Sequence, residues 1–245
     1  MGAEGAQLII KDNLSDLAQA GAEIFVSSAK EAVKNRGRFV AAISGGTTPR
    51  PMYTLFATAP YLSKIPWGET HIFWVDDRCV PVSDPASNYG LARSDFLDTV
   101  PIPNGHIHNI PVETSPEKGA LEYEKDLKKF FDIKAGEYPV FDLISLGVGI
   151  DGHIASLFPG HNALKETMRM VLSVHGGEPP VDRVTMTLPA LNSGRKIVLM
   201  ASGKVKAKIL RGVFSQGQEG LPAGMIEPVS GGLIWLIDRE AASLL

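Results

Sequence analysis

The 245-residue chain predicts an α/β fold: one domain over residues 1–245, built on an open, predominantly parallel sheet covered by helices. Apolar runs at 39–43, 141–146, 196–201 and 233–237 read as strands buried on both faces. Segments with apolar residues at helical spacing alternate with those runs. Glycine-rich turns loaded with polar groups follow several of the strands, and in open α/β sheets that carboxyl edge is where ligands bind.

Each element has its own local argument. Residues 8–10 form a short strand, Asn13 is a helix cap, and Leu14, Leu17, Ala18, Ile24, Phe25 and Val33 recur at helical spacing until Gly37 closes the segment. The strand 39–43 runs into Ser44-Gly45-Gly46-Thr47-Thr48-Pro49, with Thr48 as N-cap and Pro49 as first helical residue. Glycines there free backbone N–H groups, the hydroxyls add donors, and a helix N-terminus favours an anion. The Gly-Lys-[Ser/Thr] ending of a Walker loop is absent. An ordinary capped glycine turn is the alternative.

Strand 71–75 ends in Asp76-Asp77-Arg78, which is either a ligand-facing charge cluster or a structural Asp–Arg pair. Ser87 opens a helix to 97, and Pro101, Pro103 and Pro111 make the next stretch a loop. Ser115-Pro116 starts an amphipathic helix carrying Leu121, Tyr123, Leu127, Phe130 and Phe131. Its Glu117, Glu122, Glu124, Lys125, Lys128 and Lys129 read as a solvated face.

After 141–146 the chain passes Gly147, Gly149 and Gly152 and places Asp151 and His153 on the turn, an acid and an imidazole suited to proton transfer near neutral pH. The three glycines spell a dinucleotide fingerprint, but Asp151 would oppose a pyrophosphate and Pro159-Gly160 ends the next segment too early for its helix. A structural histidine is the alternative for His153. A helical piece is expected near 164–174, a loop at 176–180 and a strand at 183–188. Strand 196–201 leads into Ser202-Gly203-Lys204-Val205-Lys206, whose lysines at a helix start run against the dipole preference and point to a nearby anion; solvated lysines are the alternative.

Composition narrows the function classes. Hydrophobic residues are 44%, charged residues 21% and the formal net charge is −3, which supports a sizeable core and argues against nucleic acid or an anionic membrane as partner. The single cysteine, Cys79, cannot form an internal disulfide and fits a reducing compartment. The N-terminus lacks the basic and apolar regions of a signal peptide, and no apolar stretch is long enough to span a bilayer. The expectation is a cytoplasmic monomer.

Taken together and in order, these motifs resemble the 6-phosphogluconolactonase family, within the broader group that includes glucosamine-6-phosphate deaminase. The resemblance runs through the loop 44–49, Asp76-Asp77-Arg78-Cys79-Val80-Pro81, Ser87-Asn88-Tyr89-Gly90, the stretch 146–159, Arg183-Val184-Thr185-Met186-Thr187-Leu188, Gly203-Lys204-Val205-Lys206 and Leu221-Pro222-Ala223. It implies a Rossmann-like sheet with helices on both faces, no metal, no organic cofactor, and hydrolysis of a sugar phosphate lactone, 6-phosphogluconolactone, in the pentose phosphate pathway. It also implies that Ser44, Gly45, Gly46, Thr47 and Thr48 with Lys206 hold the phosphate, that Arg183 contributes to substrate binding, and that His153 acts on the lactone. The chain departs from the family at Asp77, commonly glutamate, and at Glu178, often a lysine.

The deaminases continue after Asp-Gly-His with Asn-Glu-Pro, whereas here Leu157-Phe158-Pro159 follow, and a phenylalanine transfers no proton. The expected catalytic set is His153 as general base, Arg78 for the oxyanion or a sugar hydroxyl, and Asp76 and Asp151 to orient the histidine or bind hydroxyls. No G-x-S-x-G elbow is present, which favours direct attack by water over an acyl-enzyme. A sugar-phosphate sensor would need a DNA-binding segment, and no basic helix is found. A nicotinamide oxidoreductase would reveal itself by saturable cofactor binding.

Overall fold

The computed structural model describes residues 5–215 and 220–245. Met1 to Glu4, on which part of the N-terminal reading rests, lie outside the described residues. The strands are β1 Gln7–Lys11, β2 Phe39–Ile43, β3 Thr70–Trp74, β4 Asp76–Arg78, β5 Ile107–His108, β6 Leu143–Gly147, β7 Val171–Gly176, β8 Val181–Met186, β9 Lys196–Ala201 and β10 Gly232–Asp238. Seven of them pair in parallel in the order β1-β10-β9-β6-β2-β3-β5, and β4-β8-β7 make a second, antiparallel sheet. The mostly parallel α/β architecture expected from the sequence is the one observed. Strand β2 is buried at every position, which explains why its sequence shows no polar alternation.

The helices are α1 Leu14–Arg36, α2 Arg50–Phe56, α3 Tyr61–Lys64, α4 Asn88–Ala92, α5 Pro116–Phe131, α6 Leu188–Asn192 and α7 Ala207–Phe214. Local chemistry sets several of their ends. The Asn13 side chain accepts from the Asp16 N–H at 3.0 Å, and Gly37 closes α1 at φ 73° with its N–H on the Val33 carbonyl. Ser87 and Ser115 cap α4 and α5 through the N–H groups of Gly90 and Lys118. A π-helical turn, Arg93–Leu97, continues α4 as far as the predicted end.

Five expectations need correction. Helix α2 starts one residue late: Pro49 stands at the N-cap position, its carbonyl accepts from the Met52 and Tyr53 N–H groups, and no side chain caps the helix. Residues 164–174 are not helical beyond a 3-10 turn at Asn162–Lys165, because Val171 onward forms β7 on β8. Asp76–Arg78, expected as charges at the end of strand 71–75, is a strand of its own, paired antiparallel to β8. The proline-rich loop contains the edge strand β5. Glu124 is buried, not solvated: it accepts from Lys128 Nζ at 2.6 Å, Arg169 Nε at 2.7 Å and the Met170 N–H at 3.2 Å, tying α5 to the start of β7. Burial alone would raise its pKa, but the bonds from Lys128 and Arg169 outweigh it and hold the carboxyl below the usual range.

Topology places the site. From β2 the chain moves to β3 and β5 on one side, then returns to β6, β9 and β10 on the other. The carboxyl ends of β2 and β6 therefore flank the point where strand order reverses, the position at which open α/β sheets bind ligands. No helix among the described residues is long and apolar enough to cross a membrane.

Candidate active site

Two glycine-rich junctions are stapled together at that reversal point. The Ser44 N–H donates to the Ser145 carbonyl at 3.0 Å, and Ser44 Oγ accepts from the Gly147 N–H at 3.0 Å. The buried Tyr53 hydroxyl holds the Ser44 carbonyl at 2.8 Å. Gly45 cannot be replaced without movement, since a Cβ there would lie 1.9 Å from Asn88 Oδ1, and Gly46 has φ 96°.

On the β6 side, the Gly149 N–H donates to the His153 carbonyl at 2.8 Å, closing the turn. A Cβ on Gly149 would come within 2.1 Å of His153 Nδ1, so glycine is what admits the imidazole. Asp151 Oδ1 lies 2.6 Å from His153 Nδ1 and accepts the His153 N–H at 3.2 Å. Burial would raise the Asp151 pKa, but the charge and hydrogen bonds of His153 outweigh it and hold the carboxyl below its ordinary value. An ionised carboxylate only accepts, so His153 Nδ1 is the donor and Nε2 keeps the lone pair of a base.

The two acids that sequence left undivided are separated by geometry. Asp151 orients His153. Asp76 does not touch the imidazole: it is buried on β4, with Oδ2 accepting from Ser156 Oγ at 2.6 Å and Oδ1 from Asn88 Nδ2 at 3.3 Å. Asp77, whose role was open, is fully buried and accepts the N–H groups of Arg78, Asn88 and Tyr89 at 2.7, 2.6 and 2.9 Å. Burial pushes its pKa up to about 6 despite those three donors. Its work is to hold the start of α4 against β4.

Three cations complete the site. Arg78 donates from Nη1 to the Ala86 carbonyl at 2.6 Å, and its buried Nε has no hydrogen-bond partner among the described residues. Arg183 is buried on β8, gives Nε to the Gly176 carbonyl at 2.9 Å and lies over the Phe158 ring at 5.4 Å. Its pKa is lowered by burial and by neighbouring Arg78. Lys206 ends the 3-10 turn Lys204–Lys206 that leads into α7, and burial lowers its pKa against the opposing pull of Asp151. None of the three forms an ion pair among the described residues.

The expected catalytic and phosphate-binding residues all line one cavity of about 930 Å³, although they come from the ends of β2 and β6, from β4 and β8, and from the turn before α7; Asp77 and the exposed Lys204 do not line it. Glu178 lines the same cavity, in the β7–β8 connection. Sequence reasoning missed Ser156 and Asn88 as anchors of Asp76, and Phe158 as the platform between His153, at 5.1 Å, and Arg183. All three lay inside motifs already singled out, so the signal was present, but Ser156 meets Asp76 only across 80 positions of chain and Phe158 meets Arg183 across 25. No group of three or more His, Cys, Asp or Glu residues is arranged to hold a metal among the described residues.

A glycine-rich loop and an acid-oriented imidazole at the switch point of a parallel sheet define an α/β protein with a candidate site for proton-transfer chemistry. The family model described as glucosamine-6-phosphate isomerases/6-phosphogluconolactonase matches residues 12–235, and the chain belongs to that family. It is 40% identical to the 6-phosphogluconolactonase of Synechocystis sp., over 88% of each chain. It is 36% identical to the chloroplastic 6-phosphogluconolactonase 3 of Arabidopsis thaliana, covering 96% of this chain and 73% of that one. Among solved structures, the 6-phosphogluconolactonase of Trypanosoma brucei superposes with a TM-score of 0.87 at 26% identity, over 98% of each chain. A monomeric glucosamine-6-phosphate deaminase shares the fold, with a TM-score of 0.82 at 22% identity.

Proposed function

We propose that the chain hydrolyses 6-phospho-D-glucono-1,5-lactone to 6-phospho-D-gluconate, the lactone-opening step of the oxidative pentose phosphate pathway. The observation that carries this reading is the shared cavity of the Asp151–His153 pair and the glycine loop. Phe158, standing where the deaminases carry a glutamate, favours lactone hydrolysis over ring-opening deamination. The names of the relatives agree with it.

In this reading the N–H groups of residues 45–48, the Ser44 hydroxyl and the Lys206 ammonium hold the 6-phosphate, with Arg183 beside them. Asp151 keeps the Nδ1–H tautomer of His153, and Nε2 takes a proton from water as the water oxygen bonds to C1. Arg78 stabilises the negative charge that develops on the carbonyl oxygen. Collapse of the tetrahedral intermediate breaks the C1–O5 bond, and the proton on Nε2 passes to O5 as it leaves. One water is consumed, and the new carboxylic acid ionises in solvent. The working form in this reading is a cytoplasmic monomer acting as one domain.

The test is to follow loss of the lactone by NMR with and without the protein, because the ester also opens unaided. Loss clearly above the spontaneous rate is expected, and a rate equal to it rejects the reading.

A further inference from the structure

Ser156 lies three positions past the catalytic imidazole and is fully buried among Ile154, Ala155 and Leu157. Its hydroxyl donates to Asp76 Oδ2 at 2.6 Å and accepts from Arg183 Nη1 at 3.5 Å, while its N–H donates to Thr185 Oγ1 at 3.2 Å. One residue therefore links the turn carrying His153 to β4 and to β8. A hydroxyl has one donor and two acceptor sites, so it can stand between an anion and a cation and satisfy both.

Opposite charges this near in a part-buried site attract strongly, and a direct ion pair is what they form when nothing intervenes. Yet Asp76 makes no ion pair with Arg183 or Arg78 among the described residues. Arg183 is held on its other side by the Gly176 carbonyl, and Gly177 leaves room for its Nη2, since a Cβ there would lie 2.1 Å away. Asp76 has only the longer Asn88 contact, 3.3 Å, on its other oxygen. The Ser156 hydroxyl is thus the short bond that sets the Asp76 carboxylate.

We infer that Ser156 is a positioning residue: its hydroxyl spaces Asp76 from Arg183 and keeps both facing the cavity as separate sugar-phosphate contacts. Without it the carboxylate swings onto the guanidinium, and the pair withdraws an acceptor and a donor from the substrate together. This inference rests on the lactonase reading above.

A double-mutant cycle with Asp76 tests it. Ser156→Ala should lower kcat/KM for the 6-phospholactone by about 10- to 100-fold, the range that displacement of a positioned group produces. In an Asp76→Asn background no carboxylate remains to capture Arg183, so the same change should add less than about twofold. Equal losses in both backgrounds, or no loss in either, overturn the inference, because a general loosening of the fold is indifferent to the charge at position 76. Ser156→Thr, which keeps the hydroxyl, should recover most of the lost activity. Wild-type protein that turns over the lactone while the cycle is additive rejects Ser156 and keeps the reading. Wild-type protein that is inert on the lactone rejects the reading and the inference with it.

Discussion

Two hollows lie at opposite edges of the same parallel sheet, and they differ in what their charges are doing. At the strand starts, a hollow of about 620 Å³ is lined by Arg36, Arg38, Asp142 and Arg195 among apolar residues such as Phe131 and Val140. Asp142 there is buried and answered: Arg36 Nε and Nη2 both reach Oδ1 at 2.8 Å, the Val40 N–H reaches Oδ2 at 2.9 Å, and Arg195 stands 3.7 Å away. At the strand ends, His153, Arg78 and Lys206 line a cavity, and His153 Nε2, the inner Nε of Arg78 and the Lys206 ammonium have no hydrogen-bond or ion-pair partner among the described residues. Volume alone does not separate the two. A buried charge that is already paired holds the fold together, whereas half-buried groups left uncommitted in a cavity are suited to a ligand.

That contrast can be broken by experiment, in descending order of effect on turnover. His153→Asn should lower kcat by about 10²–10⁴-fold, the contribution of a general base, in an assay corrected for spontaneous opening. The circular dichroism spectrum and phosphate affinity should stay unchanged; a variant within a few-fold of wild type would remove His153 from the mechanism and make Asp76 or Asp151 the candidate base.

Lys206→Ala comes next. Losing a charge-assisted contact to phosphate corresponds to about 1.5–3 kcal/mol, or roughly 10- to 150-fold in KM for the phosphorylated lactone. The unphosphorylated lactone should be barely affected, and equal losses on both substrates would count against a phosphate contact. Burial lowers the Lys206 pKa, so the ammonium is lost at a lower pH than for an ordinary lysine. Calorimetric affinity for 6-phosphogluconate should therefore fall as pH rises through that lowered value, and Lys206→Arg should move the fall upward.

The smallest effect on turnover belongs to the other hollow. Asp142→Ala leaves Arg36 without its carboxylate and the Val40 N–H without its acceptor, a change costing about 3 kcal/mol of stability. For a domain of this size that is a melting temperature lower by roughly 6–12 °C. The folded fraction should keep kcat/KM within about twofold. A tenfold loss of kcat/KM without a change in melting temperature would show that the two edges do not divide the labour in this way.

What could be read from sequence follows the range of the interactions. Asn13 and Gly37 declared the ends of α1 because a cap needs only its own few neighbours. Asp151 and His153 are two positions apart, so their pairing was close to the surface of the text. The misreadings share the opposite cause. Residues 171–174 carry apolar spacing compatible with helix, and only β8 turns them into a strand. Glu124 looked solvated because its partner Arg169 is 45 positions away.

The sequence by itself determined the inventory: buried parallel strands, glycine turns at their ends, an acid beside an imidazole, and lysines at a helix start. Tertiary structure decided which of those groups are committed. It placed β2 against β6 so that two glycine turns meet at the reversal of strand order. It gave Asp151 to His153 and Asp76 to Ser156, 80 positions away in the chain. It turned Asp77, beside Asp76 in sequence, to the backbone of α4. The reason is physical: a side chain's type is a local property, but whether its charge is paired depends on what the folded chain brings within hydrogen-bond reach.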